Sequence, residues 1–273
     1  MRGFLPFVSC CAALWFAASP SVKASLPALD EQPWIGHFIG YEDRKFRFGL
    51  TMQGKGVIQP MKNRTTPVFE KVCPKVLISV EELVPGREPV VKRIQPETLE
   101  TSDEATTEPE SVSFRGKVTG DAAFEVSIEN KRGDFAIGGR VTDPGKLKNP
   151  LRFTIQVDFS DIYPNSEKNK AFEKKIEKDR VSIKRFDGKR LKLDGSDKVD
   201  AKSEEVNGTG IESLEAEFSP FAGTSFAFST TGSSLMKLSN KGEAPLYEGF
   251  TIHWIPDATK DTDGKARLHF TVK

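Results

Sequence analysis

The chain has 273 residues, with 40 lysines and arginines against 39 aspartates and glutamates. So even a balance argues against nucleic acid as a partner, since nucleic-acid binders carry a basic excess gathered on one face. A chain of this length can bury roughly 70–75% of its unfolded surface, enough for a self-sufficient core.

Residues 1–24 read as a secretory signal. Arg2 supplies the positive flank, residues 4–18 an apolar run, and Val22-Lys23-Ala24 the small residues that a signal peptidase selects. The run falls short of the roughly 18–20 residues that span a bilayer, and no later segment is long and apolar enough to do so. Cys10 and Cys11 lie inside the run and not at its end, which argues against a lipid-modified cysteine. Cleavage after Ala24 leaves Cys73 as the single cysteine, so no internal disulfide is expected. The absence of disulfides fits a bacterial exported protein better than a small eukaryotic extracellular module. The expected location is the periplasm, the cell surface or the extracellular space. The sequons at Asn63 and Asn207 are then chance matches to a short pattern.

From residue 44 onward, apolar residues recur at every second position. In "RKFRFGLTMQ" the apolar set is Phe46, Phe48, Leu50 and Met52, with Lys45 and Arg47 opposite. "SVSFRGKV" offers Val112, Phe114 and Val118; "AAFEVSIEN" offers Ala122, Phe124, Val126 and Ile128. "FAIGGRV", "LRFTIQVDF", "GFTIHWI" and "ARLHFTV" repeat the alternation. Period two bounded by Gly, Pro, Asn and Asp marks strands with one buried face. Many such strands in series predict an all-β protein, a mostly antiparallel sandwich or barrel. Turn residues agree: "DPG" at 143–145, "DG" at 187–188 and 194–195, and "DTDG" at 261–264. "RFDGKRL" predicts a tight hairpin. The chain holds 20 Phe but only 3 Tyr and 3 Trp, so its aromatics are assigned to burial and not to a polar or sugar-binding platform.

Three segments interrupt this pattern. Residues 97–110 contain six acidic and no basic residues, and predict a flexible acidic loop. One short helix is expected around residues 166–179, with Phe172 and Ile176 one turn apart. Residues 194–210 are polar and glycine-punctuated, a further loop. The organisation expected is a β-rich unit over 25–163, a helical connector over 164–180 and a second β-rich unit over 181–273. The alternative is one large β domain over 25–273.

Chemistry is sparsely signalled. The histidines are His37, His253 and His269, with no metal-ligand spacing among them, so neither a metal nor a cofactor is expected. His253 and His269 fall on the polar sides of their strands. A hairpin through "DTDG" would bring them within cross-strand reach, and His37 and Tyr41 could join them. These four are the candidate ligand-binding residues. The segment around Gly264 fails as a calcium loop, because Phe270 stands where a carboxylate should. There is no GxSxG and no phosphate loop, and Cys73 reads as inert packing. Asp158 with Asp161, or Glu125 with Glu129, can be nominated as glycosidase-like pairs without a substrate platform beside them.

The expected function is that of an exported, non-enzymatic β protein that binds or assembles with a partner in the bacterial envelope or at the surface. The alternatives are a hydrolase of an envelope or extracellular polymer, and a carrier with a Phe-lined cavity for an apolar ligand. The signal reading predicts a mature N-terminus at Ser25. N-terminal sequencing of the exported protein checks it, and recovery of Met1 or of a lipid-modified Cys10 is the contrary result.

Overall fold

Two antiparallel sheets face each other, numbered here by strand in chain order. The first runs β1 (His37–Glu42), β2 (Phe46–Thr51), β3 (Lys55–Pro60), β4 (Lys75–Glu82), β10 (Leu151–Asp158), β16 (Phe250–Pro256) and β15 (Ser234–Asn240), with β5 (Val90–Lys92) also on β4. The second runs β12 (Arg190–Leu193), β11 (Arg180–Arg185), β13 (Ile211–Glu217), β14 (Ser225–Ser229), β17 (Leu268–Val272), β9 (Asp134–Asp143), β8 (Ala123–Lys131), β7 (Ser111–Val118) and β6 (Ile94–Thr101). The computed structural model describes residues 34–63, 66–68, 73–101, 110–131, 134–163, 170–221, 223–240 and 249–273. Both sheets are open at their ends, so the all-β architecture is a sandwich and not a barrel.

The period-two pattern chooses the inner faces. On β2, Phe46, Phe48 and Leu50 are buried, while Arg47 leans outward and pairs with Glu42 of β1 at 2.9 Å. The same alternation buries Val112, Phe114 and Val118 on β7 and Phe124, Val126 and Ile128 on β8. Phenylalanines from the two sheets meet in the middle. The Phe46 ring lies 5.7 Å from Phe135 and 5.2 Å from Phe270, and Phe48 lies 4.9 Å from Phe135. A second knot joins Phe159 to Phe218 and Phe226 at 4.7 and 5.4 Å. These rings pack on one another. Gly139 on β9 allows the close approach, since a Cβ there would sit 2.4 Å from the Phe153 ring of the facing sheet.

The predicted hairpin at Asp187-Gly188 forms between β11 and β12, with Gly188 at φ 84°. The expected helix appears as α1 (Lys170–Ile176), and Phe172 and Ile176 bury its apolar stripe. Residues 164–169, which include the start of the expected helix, lie outside the described residues. Each sheet takes strands from both sides of residues 164–180: β10 pairs with β16, and β9 with β17.

Two expectations need correction. Glu97 to Thr101 do not begin a loop but complete strand β6, because Leu99 is buried in the core and Arg115 pairs with Glu100; residues 102–109 lie outside the described residues. The segment carrying Asp261 to Gly264 is not a hairpin between β16 and β17. Both edges of β16 are already occupied, by β10 and β15, so the chain crosses to the other sheet. The carboxylate of Asp261 accepts the backbone N–H groups of Lys265 and Ala266 at 2.7 and 2.8 Å and shapes that crossing. Thr230 latches it: Trp254 Nε1 donates to the Thr230 hydroxyl, which donates to the Arg267 carbonyl, each at 2.9 Å.

A buried carboxylate ties the helix to both sheets. Asp179, just before β11, accepts the Tyr163 hydroxyl at 2.6 Å and the Ser219 N–H at 2.9 Å. Tyr163 follows β10 of the first sheet, and Ser219 lies between β13 and β14 of the second. Burial pushes the Asp179 carboxyl up to about 6, against the opposing pull of those two donors.

Two outcomes follow from these contacts. Phe48→Ala removes a fully buried ring between the sheets and should cost about 3–5 kcal/mol, whereas Arg47→Ala breaks a partly exposed ion pair worth about 0–1 kcal/mol; denaturant titration of both variants checks the contrast. For Asp179 the folded state holds the proton more tightly than the unfolded chain. Its contribution is therefore complete below the ordinary aspartate range and is lost as pH rises through about 6. Relative to Asp179→Asn, the native protein should lose stability between about pH 4 and pH 6, and unfolding midpoints measured across that range show the slope.

Candidate functional site

The four residues singled out from the sequence do not converge. Tyr41 is core: its ring packs 5.4 Å from Phe46 and 5.2 Å from Phe135, and its hydroxyl donates to Asp43 at 3.3 Å. His37 sits half-buried beside Gly49, with Nδ1 3.3 Å from the Trp34 carbonyl. His253 lies on the outer face of the first sheet, between Gln156 and Lys237, with Nε2 3.1 Å from the Ser239 hydroxyl. His269 lies on the outer face of the second sheet, where Nδ1 is 3.0 Å from Asp134 Oδ2. The two histidines thus point away from opposite sides of the sandwich. Among the described residues, no group of three or more His, Cys, Asp or Glu side chains converges as a metal site.

His269 borders a concavity. The outer face of the second sheet carries a hollow of about 700 Å³ over β12, β11, β13, β14 and β17. The ladder register explains it. One row across the sheet reads Arg190, Lys184, Ser213, Ser229 and His269; the next reads Lys192, Ser182, Glu215, Ala227 and Thr271. The middle of each row is mostly small, so the floor is low, while Arg190, Lys192 and His269 at the ends are long or bulky and raise the walls. Phe228 and Phe270 of the same strands lie beneath the floor, nearly fully buried, so neither presents an exposed ring for stacking.

The walls are electrostatically ordered. Lys273 donates to Glu215 at 2.9 Å and the Ser225 hydroxyl to the same oxygen at 3.1 Å. Chiefly the Lys273 hydrogen bond, with help from Ser225, holds the Glu215 carboxyl below the usual range. It therefore stays ionised and is poorly suited to donate a proton at neutral pH. Asp134 is engaged by His269, and Lys184 pairs with Glu212 at 2.7 Å. Ser229 stands opposite His269 in the ladder, so a serine, a histidine and an aspartate neighbour one another. No hydrogen bond joins Ser229 to His269, so the contact that would activate a nucleophile is not made.

The other nominated groups are occupied as well. Glu125 pairs with Arg140 at 2.6 Å, and Glu129 with Lys131 at 2.6 Å and Arg267 at 3.2 Å. Asp158 accepts the Ser160 N–H at 2.7 Å, and Asp161 pairs with Lys75. Burial pushes the Cys73 thiol up, away from the reactive thiolate. Asn207 is buried, donating to the carbonyls of Asp200 and Leu238, and is closed to a glycan.

Sequence reading missed the hollow because it followed the apolar half of each strand. The outward half held the signal: Ser182, Ser213, Ala227, Ser229 and Thr271 are small where solvent faces usually carry long polar side chains. That those positions align across four strands is knowable only from the register.

No protein-family model and no curated protein matches the sequence. Among solved structures, the chain resembles the GalNAc complex of the alpha-N-acetylgalactosaminidase NagBb from Bifidobacterium bifidum, with a TM-score of 0.52 at 10% identity, over 86% of this chain and 35% of that one. It thus spans about a third of that enzyme's length. A putative aldose 1-epimerase from Escherichia coli K12 gives a TM-score of 0.42 at 11% identity, over 86% of this chain and 98% of that one. The Slr1438 protein from Synechocystis sp. PCC 6803 gives 0.46 at 10%, over 86% and 94%. At these identities the likeness is one of fold, and it is the β-sandwich that is shared.

Proposed function

We propose that this chain is an exported, non-catalytic β-sandwich that binds a glycan in the hollow on the outer face of its second sheet. The observation that carries the reading is the floor of small, mostly hydroxyl-bearing side chains between charged walls, with the carboxylates that line it already engaged, Asp134 by a hydrogen bond to His269 and Glu215 by its pair with Lys273. Such a surface presents fixed hydrogen-bonding groups to a polar ligand and no free acid–base couple to cleave it. The sandwich shared with a GalNAc-complexed galactosaminidase supports a sugar as the ligand class. The signal-like residues 1–24 support export, and no described helix is long and apolar enough to cross a membrane. The packed phenylalanines between the sheets weigh against an apolar-ligand carrier.

Affinity electrophoresis of the full chain through gels containing a panel of polysaccharides tests this. At least one polymer should retard the protein and yield no new reducing ends on incubation. Ala227→Trp, which fills the floor between Glu215 and Thr271, should abolish the retardation and leave the melting temperature within a few degrees. Release of reducing ends would move the hydrolase reading ahead, and retardation by none of the polymers would end the glycan reading.

A further inference from the structure

This inference rests on the glycan reading above and specifies the ligand's charge. The hollow does not end at Lys273. A second hollow of about 420 Å³, lined by Lys178, Glu217, Ser219, Thr224 and Ser225 among others, shares Lys273 with the first. The two form one groove along β14 and the end of β17, roughly 15–20 Å long at about 3.4 Å per strand residue. That length suits a polymer lying along the strands better than a single sugar.

The groove is more basic than the chain that carries it. Lys178, Lys184, Arg190, Lys192 and Lys273 face Asp134, Glu215 and Glu217. Asp134 and Glu215 are already satisfied, by His269 and by Lys273. Glu217 lies beside Arg180 in the ladder. Arg190, Lys192 and Lys178 form no side-chain ion pair among the described residues, although each borders the groove. Arg190 and Lys192 project from one face of β12, two residues and so roughly 7 Å apart. Cations on an edge strand also keep sheets from pairing with one another, but Lys178 lies outside any strand and does not share that role.

Sugars are commonly gripped by stacking on exposed aromatic rings, whereas the phenylalanines that line this groove, Phe218, Phe221, Phe228 and Phe270, are nearly fully buried. Affinity must then come from charge-assisted hydrogen bonds, which are roughly twice as strong as neutral ones. We propose that the groove binds an acidic polysaccharide, with Arg190 and Lys192 taking carboxylate or sulfate groups at one end and Lys178 at the other. A single-stranded nucleic acid would want the same cations, but it would also want the stacking platform that is missing.

Titration calorimetry of the full chain at low and moderate salt tests this with polygalacturonate, dextran sulfate, neutral dextran and an oligothymidylate. An acidic polysaccharide should bind at least about tenfold tighter than dextran, and salt should weaken it. The relative strength of polygalacturonate and dextran sulfate tells carboxylate from sulfate as the group recognised. Arg190→Gln with Lys192→Gln should weaken binding about tenfold and Lys178→Gln a few-fold. Lys148→Gln, an exposed charge between β9 and β10 at the opposite end of β9 from Asp134, should change nothing. These positions are exposed, so unchanged melting curves should accompany each variant. Dextran binding as tight as the acidic polymers, and indifferent to the charge variants, would overturn the acidic assignment and leave the glycan reading in place. Equal loss in Lys148→Gln would reveal non-specific charge attraction and overturn the groove assignment. Tighter binding of the oligothymidylate would replace the polysaccharide with a nucleic acid, and binding of none of the polymers would remove the glycan reading together with this one.

Discussion

The sandwich depends on phenylalanine rings meeting across the gap between its sheets. Phe46 and Phe48 of the first sheet press on Phe135 and Phe270 of the second, and the latter two rings lie 4.7 Å apart. Cys73 is free, so no disulfide crosslinks the described residues. Apolar burial between the layers must offset the conformational entropy of ordering the seventeen strands among the described residues. The rings do so without leaving polar atoms to satisfy, which is why Phe outnumbers Tyr and Trp so heavily.

Because the core takes the inner faces, the crossings between sheets need their own fastenings. Asp179 gathers Tyr163 and Ser219 where the chain passes from the first sheet to the second. Asp261 and Thr230 do the same where it passes from β16 to β17. Asn207, donating to Leu238 and accepting the Leu238 N–H at 2.8 Å, anchors the long loop before β13 to β15. These are buried polar groups with their partners in place, and each lies where backbone leaves one ladder for another.

The same division of labour leaves the outer faces available for function. On the second sheet, the residues between the inward phenylalanines of β14 and β17 are Ala227, Ser229, His269 and Thr271. They contribute little to the core, and the small size of Ala227, Ser229 and Thr271 makes the hollow. Charged residues gather at its margins, where they remain solvated. The galactosaminidase that resembles this sandwich over part of its length is named for acting on a sugar, whereas the proposed role here involves binding without cleavage, since Glu215 is paired with Lys273 and Asp134 is hydrogen-bonded to His269.

The sequence by itself determined the inner face of most strands and the tight hairpin at Gly188, and it located the helix through Phe172 and Ile176. Those features are local: side chains alternate every two residues in a strand, and a turn needs only its own few positions. Local chemistry could not tell a hairpin from a crossing at Asp261, since both use the same turn residues. The answer lay in β10 and β15, which occupy both edges of β16 and come from elsewhere in the chain. Nor could charge alone keep Glu97 and Glu100 out of a strand once Leu99 had a core to enter. The proposed binding groove was decided wholly by tertiary structure. It arises where outward residues of five strands, from β11 to β17 in the chain, are brought side by side by register, and no local pattern records which residue will stand beside which.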